Sequence, residues 1–152
     1  GMRDTKWEGR LEVMGKNPTV LLDGAHNPAG VSALCRALRE EFSYRKLIIV
    51  FGVLGDKDIG RMLGTLCRIA DRLILTKPDV ERASPVKTIF HAAKHRHGLI
   101  NVFEDSGEAV RFALEVSSES DLICITGSLY LVGEVKKTFP LSIDYAKPRL
   151  PK

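Results

Sequence analysis

The sequence holds no apolar run approaching the roughly 18 residues of a membrane span, so no membrane partner is expected. Its opening, GMRDTKWEGR, is polar and does not read as a secretory leader. No G-x-x-x-x-G-K-[ST] segment occurs, which excludes a P-loop for nucleotide phosphates and Mg²⁺ within these residues. The absence of a G-x-G-x-x-G turn argues against a dinucleotide-binding domain. Cysteine is scarce. Cys35, Cys67 and Cys124 lie far apart and no C-x-x-C pair occurs, so a zinc site built from cysteine is not expected. Reduced, buried thiols on helix faces and inside a strand fit a cytoplasmic chain.

A strongly one-sided charge is also missing. Lys and Arg number 23 against 19 Asp and Glu, and the net +4 is scattered without a basic block. Nucleic-acid binding needs basic side chains clustered on one face, so no nucleic-acid partner is expected. A mildly positive surface suits small anionic ligands instead. His91 and His95 stand one helical turn apart with His97 nearby, but lysines and arginines are their main polar neighbours in sequence. Without a third ligand, no metal site is expected.

What is present fits one domain: 152 residues with 44% hydrophobic and 28% charged, enough to bury a core. Arg10 to Met14 alternates, with Leu11 and Val13 on one face, and reads as an edge strand leading to a turn at Gly15–Pro18. Buried runs at Thr19–Leu22, Lys46–Phe51, Leu73–Thr76 and Leu122–Thr126 read as strands, with a weaker one at Leu99–Phe103. Helical spacing predicts helices from Pro28 to Phe42, after Asp58, around Pro85–His95, over Gly107–Val116 and near Leu129–Lys137. This alternation implies an α/β, Rossmann-like doubly wound fold. A mainly parallel sheet of about six strands carries helices on both faces, with one antiparallel edge strand. The domain is expected over 9–139, with 1–8 a cloning scar and linker remnant and 140–152 an irregular tail.

One stretch organises the chain. Thr19–Leu22 runs straight into Asp23, Gly24, Ala25, His26, Asn27 and Pro28. Asn27 is a good N-cap, and Pro28 fits a first helical turn, where its missing N–H costs nothing. Asp23, His26 and Asn27 are therefore expected in a strand-to-helix turn at the carboxyl edge of the sheet, where open α/β sheets bind ligands. The turns bearing Asp56–Lys57, Arg82 and Ser128 are expected on the same edge. Each has a plainer reading as well: Asp23 can serve local backbone, Asp58 and Ser128 can cap helices, and Lys57 and Arg82 can be solvated.

The stretch DGAHNP, with GRLE at Gly9–Glu12, FGVLGDKD at Phe51–Asp58 and GSLYLVGE at Gly127–Glu134, resembles the C-terminal domain of folylpolyglutamate and dihydrofolate synthases. These are Mur-ligase-like amide ligases that add glutamate to folates. The resemblance covers roughly Gly9 to Phe139. It implies that ATP activates a pterin-linked carboxylate as an acyl phosphate, which the amine of L-glutamate attacks. ATP phosphates and Mg²⁺ would be held mainly by an N-terminal P-loop domain that this chain lacks, and this domain alone would be inactive. By resemblance, Arg10, Asp23 and Asn27 would complete the ATP site. His26 would serve the incoming glutamate as the catalytic residue, and Ser128 would contact the same ligand. Glutamate carries two carboxylates and needs fixed cations, for which Lys57, Arg82 and His26 are the candidates. Two alternatives stay open: the equivalent domain of a peptidoglycan-type Mur ligase, and a non-catalytic nucleotide- or amino-acid-binding module of the same fold.

Overall fold

A computed structural model describes residues 9–139. The segments expected as a linker remnant (1–8) and an irregular tail (140–152) lie outside the described residues. In chain order the elements are β1 (Glu12–Gly15), β2 (Thr19–Asp23), α1 (Pro28–Glu41), β3 (Leu47–Phe51), α2 (Ile59–Ile69) and β4 (Arg72–Leu75). There follow α3 (Val86–Ala93), β5 (Ile100–Val102), α4 (Ser106–Val116), β6 (Leu122–Thr126) and α5 (Leu129–Thr138). The six strands form one sheet in the order β1-β2-β6-β3-β4-β5. Only β1 is antiparallel to its neighbour; every other pair is parallel. The doubly wound sheet with an antiparallel edge is as the sequence implies.

The strands read as continuous apolar runs because both faces of the sheet are covered. On one face Leu21, Leu47, Ile49, Leu73 and Cys124 pack with Leu38 of α1, Leu63 and Leu66 of α2, and Ile89 of α3. On the other, Val20, Ile48, Ile74, Ile123 and Ile125 pack with Val110 and Ala113 of α4 and Leu131 and Val135 of α5. Successive strand residues point to opposite faces, so each strand feeds both layers. Burial pushes the Cys35 thiol up to about 11 and the Cys124 thiol up as well, which leaves both as inert packing groups. Cys67 is half-buried rather than sealed, and burial raises its thiol too.

The edge strand departs from the expected pattern. Leu11 packs partly on the core, but Val13 is 40% exposed and Met14 is the residue that turns inward. Two causes are local: Leu11 sits at φ 48, outside the strand, and a register shift falls between Val13 and Gly15. An edge strand is also covered less completely than its neighbours.

At the amino edge of the parallel strands, polar side chains secure the backbone. Asp121 accepts the N–H groups of Lys46 and Ser118 at 3.2 and 2.8 Å, and Asp71 accepts that of Leu47 at 2.7 Å.

At the carboxyl edge, the link from β6 to α5 passes very close to β3. Gly127 has φ +115, and a Cβ there would meet the Gly52 carbonyl oxygen at 2.2 Å. Neither the dihedral nor the space admits a side chain. Gly127→Ala is expected to cost at least about 2 kcal/mol of folding stability, measured by urea denaturation of this chain. A loss below about 0.5 kcal/mol would show that the two turns can separate freely.

Candidate functional site

β6 lies between β2 and β3, and its following helix, α5, packs on the opposite face from α1 and α2. Neighbouring strands whose chains leave toward opposite faces open a crevice at their carboxyl ends, the switch point where α/β sheets take ligands. A cavity of about 380 Å³ lies on the β2 side of that place, among the end of β2, the start of α1, the Arg10–Leu11 segment and Leu129 of α5. Arg10, Asp23, His26 and Asn27 line it together with the apolar Leu11, Ala25, Ala33, Leu34 and Leu129. Four residues singled out from sequence are thus brought together.

Asp23 is built in from three sides. It ends β2 and is 4% exposed, with Oδ1 accepting the Ala25 N–H at 2.9 Å and Oδ2 accepting the Leu11 N–H at 3.0 Å. Burial raises its carboxyl above the usual 3.8; the two backbone N–H groups and the charge of Arg10 pull the other way without reversing it. Each oxygen keeps further acceptor capacity, so local bonding and ligand contact are compatible. Gly24 lets Leu129 lie directly over the turn: a Cβ there would displace the Leu129 side chain. Its N–H donates to the Gly9 carbonyl at 2.5 Å, which brings the segment bearing Arg10 over the turn.

His26 Nδ1 lies 2.9 Å from the Gly24 carbonyl, so Nδ1 carries the proton and donates there. In the neutral ring that leaves Nε2 as the acceptor. Asn27 caps α1 by accepting the Gly30 N–H at 2.7 Å, and Pro28 occupies the first turn, as the sequence predicts.

The other expected residues lie outside this crevice. Ser128 is 2% exposed, and its hydroxyl oxygen accepts the N–H groups of Tyr130 and Leu131 at 2.9 and 3.4 Å, capping α5. Lys57 is half-buried in the loop between β3 and α2, beside the α2 cap Asp58. Arg82 is exposed in the loop between β4 and α3. These two loops are joined: Gly55 N–H donates to the Arg82 carbonyl, and Ser84 N–H to that of Val53, both at 2.8 Å. Beside Arg82, a second cavity of about 400 Å³ is lined by Lys77, Asp79, Glu81, Lys87 and Glu104 among others. Parallel strands place all these turns on one edge, but Ser128, Lys57 and Arg82 line neither the crevice nor the charged hollow beyond β4.

Among the described residues, no group of three or more His, Cys, Asp and Glu is placed to hold a metal ion. His91 and His95 are exposed, and His97 lies between the Ala70 carbonyl and the Leu99 N–H at 2.7 and 3.0 Å. No described helix is long and apolar enough to cross a membrane. The residues missed from sequence are the apolar walls of the crevice. Leu34 and Leu129 carry no polar signal and read simply as helix residues. At the start of α5, Leu129 is 55% and Tyr130 51% exposed.

The mainly parallel sheet, covered on both faces and with a part-apolar, part-charged crevice at one edge, defines a doubly wound α/β domain. Residues 9–129 match the family described as Mur ligase, glutamate ligase domain, and the chain belongs to that family. A probable bifunctional folylpolyglutamate synthase/dihydropteroate synthase of Haloferax volcanii is 35% identical over 147 residues, covering 94% of this chain and 17% of that protein. The structure of Mycobacterium tuberculosis folylpolyglutamate synthase complexed with ADP superimposes with a TM-score of 0.84 at 35% identity, covering 88% of this chain and 32% of the other. A bifunctional folylpolyglutamate synthase/dihydrofolate synthase with Mn, AMPPNP and L-glutamate bound gives a TM-score of 0.79 at 26% identity, covering 90% and 32%. A UDP-N-acetylmuramoyl-L-alanyl-D-glutamate–2,6-diaminopimelate ligase of Coxiella burnetii is 32% identical over 126 residues, covering 78% of this chain and 26% of that protein. The chain thus spans between a sixth and a third of the proteins it matches.

The raised carboxyl of Asp23 has a consequence for stability. A folded value above the unfolded one contributes stability that is fully present below 3.8 and is lost as pH rises through the folded value. Denaturation of wild type and Asp23→Asn across acid pH is therefore expected to favour wild type most below 3.8, with the advantage shrinking as pH rises. An advantage that grows with pH would mean the two N–H bonds outweigh burial.

Proposed function

We propose that this chain is the C-terminal domain of an ATP-dependent amide ligase that adds L-glutamate to a folate, as a folylpolyglutamate or dihydrofolate synthase does. The observation that carries the reading is the crevice at the end of β2, with Arg10, Asp23 and His26 on its rim and apolar walls behind them. An apolar slot with few polar groups suits a nucleoside, with Asp23 toward ribose hydroxyls and Arg10 toward the base or phosphates. The phosphates and Mg²⁺ need another cradle, which a P-loop domain of the same protein would supply. Bound ATP supplies the activation of a folate carboxylate, and the amine of glutamate completes the amide.

Within that division of labour this chain's own groups bind and orient. Lys57 and Arg82 supply cations for the glutamate carboxylates, and the Ser128 hydroxyl, whose oxygen caps α5, keeps its O–H to donate to the same ligand. His26 faces the crevice with Nε2 available to the glutamate ammonium. Holding the amine close to its target lowers the barrier by several kcal/mol without chemistry from this domain. Closure of the two domains excludes water from the activated carboxylate. The folate-type reading is preferred to the peptidoglycan-type one because folate-type relatives cover 86% to 94% of the chain rather than 78%. Soluble, cytoplasmic location is part of this reading.

Two experiments test it. The 152-residue chain alone, given ATP, Mg²⁺, folate and glutamate, is expected to release no glutamate-dependent ADP, because the phosphate cradle is absent. In the full-length protein, His26→Ala is expected to raise KM for glutamate about tenfold with little loss of folding stability. Ser128→Ala is expected to do the same while also costing about 1 kcal/mol as a lost cap. Arg10→Ala should raise KM for ATP instead. An unchanged glutamate KM in both His26→Ala and Ser128→Ala would remove glutamate from this edge and favour a non-catalytic module.

A further inference from the structure

Glu134 in α5 is the acidic residue that closes GSLYLVGE, and it lines neither cavity. Its carboxylate joins two other segments. Oε1 accepts the backbone N–H of Asp79 at 2.7 Å, and Oε2 accepts the hydroxyl of Ser106 at 2.5 Å. Asp79 belongs to the wall of the charged hollow, and so does Glu104, two residues before Ser106. One side chain thus spans both walls from behind.

The loop from β4 to α3 is held very unevenly. Its second half is tied to the β3–α2 loop through Arg82 and Ser84. Among the hydrogen bonds of the described residues, the Glu134 bond alone joins Lys77–Glu81 to another element. That bond is charge-assisted, and so is the one from Ser106, which is itself 2% exposed and anchored at the start of α4. Losing the carboxylate would free the first half of the loop and leave a buried hydroxyl without its acceptor.

We propose that Glu134 is a positioning residue: it sets the Lys77–Glu81 segment, and with it the placement of Lys77 against the carboxylates of the incoming amino acid. The proposal rests on the glutamate reading above for its ligand, though the clasp itself does not. Geometry rather than charge is what Glu134 supplies. A glutamine at this position keeps both contacts, because its amide oxygen accepts the Asp79 N–H and its NH₂ donates to the Ser106 oxygen.

The test uses the full-length protein with Glu134→Ala and Glu134→Gln. Glu134→Ala is expected to raise KM for glutamate about tenfold, leaving KM for ATP and kcat at saturating glutamate within about twofold of wild type. Glu134→Gln is expected to stay within about twofold throughout. Amide hydrogen exchange at Asp79, read in the same proteins, is expected to be about tenfold faster in Glu134→Ala alone. A lowered melting temperature with glutamate KM unchanged would reduce Glu134 to a structural brace and overturn the proposal. Equal damage from alanine and glutamine would overturn it too, since the charge would then be the agent. If the wild-type protein adds no glutamate, the functional reading fails. The exchange arm then decides the clasp by itself, and unaltered Asp79 exchange in Glu134→Ala refutes it.

Discussion

One buried carboxylate, Asp23, joins the start of the edge strand, the end of β2 and the turn into α1. It does so with two hydrogen bonds, to Leu11 and Ala25, at the point where the chain leaves the sheet. Leu11 is held at φ 48, a conformation that costs a non-glycine residue about 1–2 kcal/mol, so something must over-determine it. Asp23 provides that, and the Gly24 N–H to Gly9 bond closes the same loop. The position of Arg10 above the crevice follows from these bonds. Loosening Asp23 would move a wall of the crevice, so stability and crevice geometry are coupled in one residue. The burial that raises its carboxyl is part of that coupling.

Around this point the topology does the rest. Insertion of β6 between β2 and β3 puts the last helix on the opposite face from the first two, and the sheet parts between their starting turns. Glycine sets how closely those turns approach: Gly127 against Gly52, and Gly24 under Leu129. Two fully buried threonine hydroxyls without partners, Thr76 and Thr126, stand at the same strand ends, and Thr126 is the register partner of Asp23. The carboxyl edge therefore carries close backbone approaches and unsatisfied polar atoms. At the amino edge, Asp71 and Asp121 secure neighbouring segments.

Much of this was legible in the letters because local chemistry decides it. Unbroken apolar runs such as LIIVF and LICIT read as strands covered on both faces, and Asn27-Pro28 announces a helix start. The crevice rim was legible for the same reason, since DGAHN is a turn that gathers three polar side chains, Asp23, His26 and Asn27. Val13 was not, because a register shift and an edge position override alternation. Nor was the split of the edge into two hollows. Parallel strands place Lys57, Arg82 and Ser128 on one side of the sheet, but how far apart they fall depends on strand order, which periodicity does not encode. Glu134 escaped entirely, as its partners at Asp79 and Ser106 meet it only through tertiary packing.

The central claim is that this crevice belongs to an enzyme joining glutamate to a folate, and mass spectrometry of the product tests it most directly. The full-length protein would be incubated with ATP, Mg²⁺, L-glutamate and either dihydropteroate or a reduced folate. The account predicts a product heavier by one or more glutamyl residues, formed only when ATP is present. No mass gain on any pterin substrate, with ligation instead on a muramoyl peptide or on nothing, would contradict it.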